Sequence, residues 1–144
     1  MKIKHFFIFL LIVSAFFLGS RGNSSDSPHV PVISDEARIK EAFEKGTSDI
    51  WVELGGTIEK VLPDDREGAA HQRLIVQLST GQTILLSHNI DIAPRVADPQ
   101  VGSEIYFRGE YEWNSKGGVV HWTHHDPNSR RSGGWIEYKG VRYQ

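Results

Sequence analysis

The chain of 144 residues contains no cysteine and a single methionine. Without thiols there is no disulfide, no thiolate metal site, no cysteine nucleophile and no cysteine-linked lipid anchor. Also missing are an internal repeat, a phosphate-cradling glycine loop, a dinucleotide fingerprint and a nucleophile elbow. The length then bounds a single domain plus whatever its ends contribute, large enough to bury a core without covalent staples. Positive charge is scarce too. Setting aside Lys2, Lys4 and Arg21, thirteen basic residues face eighteen acidic ones, a formal charge of −5. Bulk electrostatics therefore do not hold such a chain on nucleic acid or anionic lipid, and neither is expected as a partner. Arg130, Arg131, Lys139 and Arg142 offer only a thin local patch.

What is present begins with Lys2 and Lys4 ahead of an apolar run from Phe6 to Leu18, followed by small residues at Gly19, Ser20 and Gly22. This layout predicts a secretory signal peptide over residues 1–22, with Asn23 as the mature N-terminus. The run is too short to cross a bilayer comfortably, so an exported protein, periplasmic or secreted and without a stable membrane anchor, is expected. Residues 23–34, polar and bearing two prolines, read as a flexible tether.

From residue 35 the pattern becomes that of a folded domain. Ser34 as N-cap, Asp35 and Glu36 in a first turn, the stripe Ile39, Ala42, Phe43 and a stop at Gly46 predict one short helix. Ile50 to Leu62 opens the β region, with Gly55-Gly56 expected to mark a bulge or coil. Pro63 to Gly68 reads as a polar turn; His71 to Leu78 and Thr83 to His88 read as two further strands of a meander. Asn89 to Val101 is a proline-broken loop, and Gly102 to Trp113 and Val119 to Thr123 form a hairpin about Asn114-Ser-Lys-Gly-Gly118. A last small hairpin spans Trp135 to Tyr138 and Val141 to Tyr143. Five principal strands with a coiled, glycine-bearing first strand suit a mainly β fold, a small five-stranded OB-like barrel with one short N-terminal helix over residues 35–144. An open antiparallel sheet carrying the helix on one face is the alternative.

The densest chemistry lies where the second arm of the hairpin ends. His121, His124, His125 and Asp126 fall within six residues, closed by Pro127. Imidazole is the commonest ligand for zinc and its neighbours, and His71 or His88 from the meander could complete a set. His121 and His125 would stand about 13 Å apart on a regular strand, so sharing an ion requires the strand to end between them. Asp126 could serve as carboxylate, and His71 with Arg73 could assist a charged transition state. Each group has a plainer reading: histidines hydrogen-bonded in a core, Asp64-Asp65 as turn residues, and Asn89 and Asp91 capping a strand end. Glu110 and Glu112 share a strand face about 6.5–7 Å apart, a separation some two-carboxylate enzymes use, yet solvated alternation explains them equally. Tyr106, Tyr111, Trp113, Trp122 and Trp135 could stack on a ligand or fill the core.

Leu62-Pro-Asp-Asp65, His71-Gln-Arg73, His88-Asn-Ile-Asp91, Gly109-Glu-Tyr-Glu-Trp-Asn114, His121-Trp-Thr-His-His-Asp-Pro127 and Gly133-Gly-Trp135 together resemble the uncharacterised bacterial family named domain of unknown function 3465. The resemblance covers nearly all of the mature domain. It departs at Leu74, where the family pattern has phenylalanine, at Ile92, where it has leucine, and at Arg131-Ser132, where it carries a histidine. It implies a bacterial exported protein and no mechanism. Three functions remain open at this stage. One is a binding module whose His/Asp/Arg cluster holds a small anionic ligand or a divalent transition metal such as zinc, with His88, His121, His124 and His125 as ligands. Another is a metal-assisted hydrolase, conceivably of phosphodiesters, using His71, Arg73 and Asp126. In the third, the histidines form a purely structural network.

Overall fold

A computed structural model of the protein describes residues 34–144. The expected signal peptide and all but the last residue of the tether lie outside the described residues. Within them, one helix, α1 (Asp35–Lys45), precedes seven strands: β1 (Ile50–Asp65), β2 (His71–Gln77), β3 (Thr83–Asn89), β4 (Glu104–Glu112), β5 (Val119–His121), β6 (Trp135–Tyr138) and β7 (Val141–Tyr143). The fold is mainly β, as expected, with both hairpins and the meander where the alternation puts them.

The helix forms for the reasons its ends advertise. Ser34 Oγ accepts the Ala37 N–H, and Gly46, at φ 70°, donates to the carbonyls of Ala42 and Phe43. Its acidic first turn does more than meet the helix dipole. Asp35 accepts the Glu53 N–H at 2.6 Å, and Glu36 accepts the backbone and hydroxyl of Ser79. With Ile39 and Ala42 buried beneath, these bonds clamp α1 to β1 and to the β2–β3 turn.

All seven strands belong to one sheet in the order β1-β2-β3-β5-β4-β6-β7, and β1 also pairs with β4. The pairings β1–β2, β2–β3, β3–β5, β5–β4 and β4–β1 therefore return to their start, the β3–β5 contact being parallel and the rest antiparallel. Alternate residues point into a common core of Val52, Ile58, Leu74, Val76, Ile84, Leu86, Ile105, Phe107, Val120 and Ile136. Each fully buried side chain of this kind contributes about 1.5–3 kcal/mol over its exposed state.

β1 is long because it serves two neighbours: residues 50–57 pair with β4, and residues 57–65 pair with β2. Gly55-Gly56 sits at the changeover. No bulge falls there; the register shifts lie later, between Ile58 and Lys60 and between Leu62 and Asp65. The glycines instead make room, since a Cβ at Gly56 would stand 2.7 Å from the Gln77 carbonyl oxygen, and one at Gly55 2.6 Å from the Tyr106 ring. The expected turn at Pro63 is likewise absorbed into β1, because the second irregularity lets Pro63, which has no N–H to give, sit out of the ladder.

β5 and β6 share one edge of β4. Residues 119–121 pair with Glu110–Glu112, and residues 135–136 take over at Phe107 and Arg108. Gly109 lies at the seam. A Cβ there would meet the His121 carbonyl oxygen and, at 2.7 Å, Val120. Residues 122–134 leave the sheet between these two strands and return to nearly the same place, tied by the Gly134 N–H to His124 O bond of 2.8 Å.

Candidate functional site

β5 stops at His121 because Trp122 takes a left-handed backbone, φ 55°, that no strand can continue. A bulky residue in that region costs on the order of 1–3 kcal/mol and persists only where its surroundings fix it. Here they do. The Trp122 indole lies 5.2 Å from the His124 ring and beneath the Arg131 guanidinium, 5.3 Å away. Gly134 packs directly under the turn, where a Cβ would strike the Trp122 and Arg108 carbonyl oxygens. Gly133-Gly134 thus packs against the backbone of the turn that ends β5.

The break lets histidines from separate places share a cavity. His71 from β2, His121 from β5 and His124 from the turn line a space of about 230 Å³ together with Ser87, Asn89 and Trp122. His71 donates Nδ1–H to the Ala69 carbonyl at 2.8 Å, and His124 donates Nδ1–H to the His125 carbonyl at 2.7 Å. Carbonyls only accept, so in the neutral ring each Nε2 carries a free lone pair. Burial holds the His124 imidazole below its ordinary value, as does the proximity of His125, His71 and His121, against the His125 carbonyl, which works the other way.

His88 is brought close but committed elsewhere. Its Nε2 meets the Pro94 carbonyl at 3.0 Å and its Nδ1 meets Thr123 Oγ1 at 2.9 Å. The proton must sit on Nε2, and Nδ1 then accepts from the threonine hydroxyl. Burial lowers its pKa, and no nitrogen is left for an ion. His125 is exposed. Asp126 accepts the N–H of Asn128 at 3.0 Å and those of Arg130 and Arg131 at 2.8 Å. These bonds, that of Asn128 foremost, hold its carboxyl below the usual range, and they build the turn that carries Arg131. Arg73 donates Nε–H to the Pro63 carbonyl, pinning the irregular end of β1. Neither Arg73 nor Asp126 lines the histidine cavity. Asp91 and Asn89 cap the end of β3, and Asp64 pairs with Arg95 and Arg66.

The arrangement with the most chemical potential joins His121 to the first arm of its own hairpin. Register places Glu110 opposite His121, and Glu112 follows on the same face. His121 Nε2 stands 3.6 Å from Glu112 Oε1 and 3.9 Å from Glu110 Oε2. It is cut off from solvent yet has no hydrogen-bond partner among the described residues. Among the described residues, one ligand atom from each of these three side chains falls within 4.8 Å of the others. Glu110 is buried, 8 % exposed, so solvated alternation does not account for it. Arg131 approaches from the outside, Nη1 lying 3.6 Å from Glu110 Oε2.

The model of the family described as protein of unknown function (DUF3465) matches residues 24–144. The chain belongs to that family. No curated protein matches it significantly. Within this DUF3465 member, the triad of Glu110, Glu112 and His121 is what the sequence analysis did not assemble. The signal was there: a hairpin turning at Asn114–Gly118 sets Glu112 opposite Val119 and Glu110 opposite His121 by counting back along the ladder.

Proposed function

We propose that this DUF3465 domain is an OB-like barrel that acts outside the cytoplasm, periplasmic or secreted, as a binding module for a divalent metal ion held by Glu110, Glu112 and His121. The returning circuit of strand pairings supports the barrel, and the N-terminal run supports export. One observation carries the metal. A buried imidazole nitrogen without a hydrogen bond faces two carboxylate oxygens at 3.6 and 3.9 Å. Those separations are too long for hydrogen bonds. Two ligands each ~2.1 Å from one ion, however, lie roughly 3–3.5 Å apart, so the three side chains need only close slightly. A purely structural network would have given Nε2 a partner. Two carboxylates and one imidazole suit zinc, manganese, iron or cobalt in the divalent state, and leave coordination positions open.

The test is a zinc titration of the purified protein after chelation and dialysis, read by competition with a chromophoric chelator. One ion per chain is expected. Glu110→Gln and His121→Gln should each weaken it about tenfold to a hundredfold, a loss of the order seen even for outer-sphere changes. Wild-type protein that takes up no ion, or variants that match it, would overturn the proposal.

A further inference from the structure

Adjoining the triad at Glu110 lies a second, larger hollow of about 670 Å³ lined by Asp49, Trp51, Arg108, Glu110, Arg131 and Ser132. Two guanidinium groups open onto it. Among the described residues, Arg108 commits three of its five N–H donors, to the Gly133 carbonyl, Glu53 and Ser132 Oγ, and keeps two free. Among the described residues, Arg131 makes only the long ion pair to Glu110 and the stacking contact with Trp122, while Asp126 fixes its backbone. Glu110 belongs to both places, as a wall of this hollow and as a member of the triad.

We propose that this hollow receives the phosphoryl group of a phosphate ester, and that it does so only when the metal is in place. The inference rests on the metal reading above. Without an ion, Glu110, Glu112 and Asp49 outweigh the one arginine not otherwise matched by a carboxylate, and an incoming phosphate is repelled. A divalent ion neutralises Glu110 and Glu112 together. Arg131 then loses its counter-charge and, with the open coordination positions of the ion, presents a positive corner to the cavity. A phosphoryl group has enough oxygens to reach the ion, Arg131 and the free donors of Arg108 at once, whereas a carboxylate has only two. Because each ligand favours the other, the coupling must be reciprocal: phosphate ester tightens metal by the factor by which metal tightens phosphate ester.

Phenyl phosphate titrated calorimetrically into zinc-loaded and chelator-treated protein tests this. Zinc-loaded protein should bind at least tenfold more tightly than the chelated form, and zinc affinity should rise by the same factor in saturating phenyl phosphate. Arg131→Gln should cost about tenfold in phenyl phosphate affinity, the worth of a charge-assisted bond, with zinc still bound one per chain; Arg131→Lys should fall between. Benzoate should bind more weakly than phenyl phosphate. Equal affinity with and without zinc, indifference to Arg131→Gln, or benzoate matching phenyl phosphate would overturn the inference while leaving the metal site standing. Failure to bind zinc at all would remove both.

Discussion

His88 ties the loop after β3 to the strained turn after β5, and breaking that tie has a calculable cost. His88→Phe keeps a flat aromatic ring, slightly larger, but removes bonds to the Thr123 hydroxyl and the Pro94 carbonyl. Thr123 is fully buried, so its hydroxyl is stranded, and the Pro94 carbonyl loses its donor. Leaving a buried polar group unsatisfied costs about 1–3 kcal/mol, and because Pro94 is exposed its carbonyl can turn to water, so about 1–3 kcal/mol is expected, out of a total of roughly 5–15 kcal/mol. The same residue predicts a pH effect with a definite sign. Burial lowers the folded-state pKa of His88 below its ordinary 6.5, so in acid the unfolded chain binds the proton that the folded chain refuses. Stability from this group is therefore complete above about pH 6.5 and lost as pH falls beneath it, by up to about 1.4 kcal/mol at pH 5.5. Urea unfolding at pH 7.5 and 5.5 measures both. Wild type should lose stability on acidification, and His88→Phe should be weaker at pH 7.5 but lose less between the two. A variant within 0.5 kcal/mol of wild type at pH 7.5, on the order of a neutral surface change, or one with an unaltered pH difference, would refute the reasoning.

Gly134→Ala should destabilise by about 1–3 kcal/mol, the cost of overpacking, because the new methyl meets the Trp122 and Arg108 carbonyls; thermal melts would show the drop. Asp126→Ala removes the acceptor for three backbone N–H groups, so limited proteolysis should cut between residues 126 and 133 faster than in wild type. Tyr111→Phe, which deletes a buried 3.2 Å bond to the Gly117 carbonyl, should cost about 1 kcal/mol in urea unfolding without altering zinc uptake.

Local chemistry made the elements readable before the structure. Ser34 and Gly46 announce the ends of α1, and the alternation of Leu74 and Val76 or of Ile84 and Leu86 announces which faces are buried. The glycine pair at 55–56 was legible as special but not as to cause, because what it accommodates, Tyr106 and Gln77, is remote in sequence. The same limit applies to the parallel β3–β5 pairing and to the left-handed Trp122. The candidate site was half visible. Its histidines drew notice by density, yet His88 and His125 do not join the cavity, while Glu110 and Glu112 were read as a carboxylate pair or as solvated alternation on one strand, without His121. Ladder register across the hairpin was available from the turn and links them; where the chain goes after His121 was not, since it depends on Gly134 arriving from beyond the turn.

Strands β5 and β6 lie end to end against the same side of β4, and residues 122–134 depart and rejoin at one seam. That excursion carries Trp122, His124 and Arg131, while Glu110, Glu112 and His121 remain anchored in the ladder. On the proposed reading, the residues that would hold the ion stay on the ladder, while the excursion lends Arg131 to the hollow beside Arg108 and Glu110. Exchanging the excursion for one of different length or charge, with the glycine footing kept, should retune what the protein recognises while the scaffold beneath stays as it is.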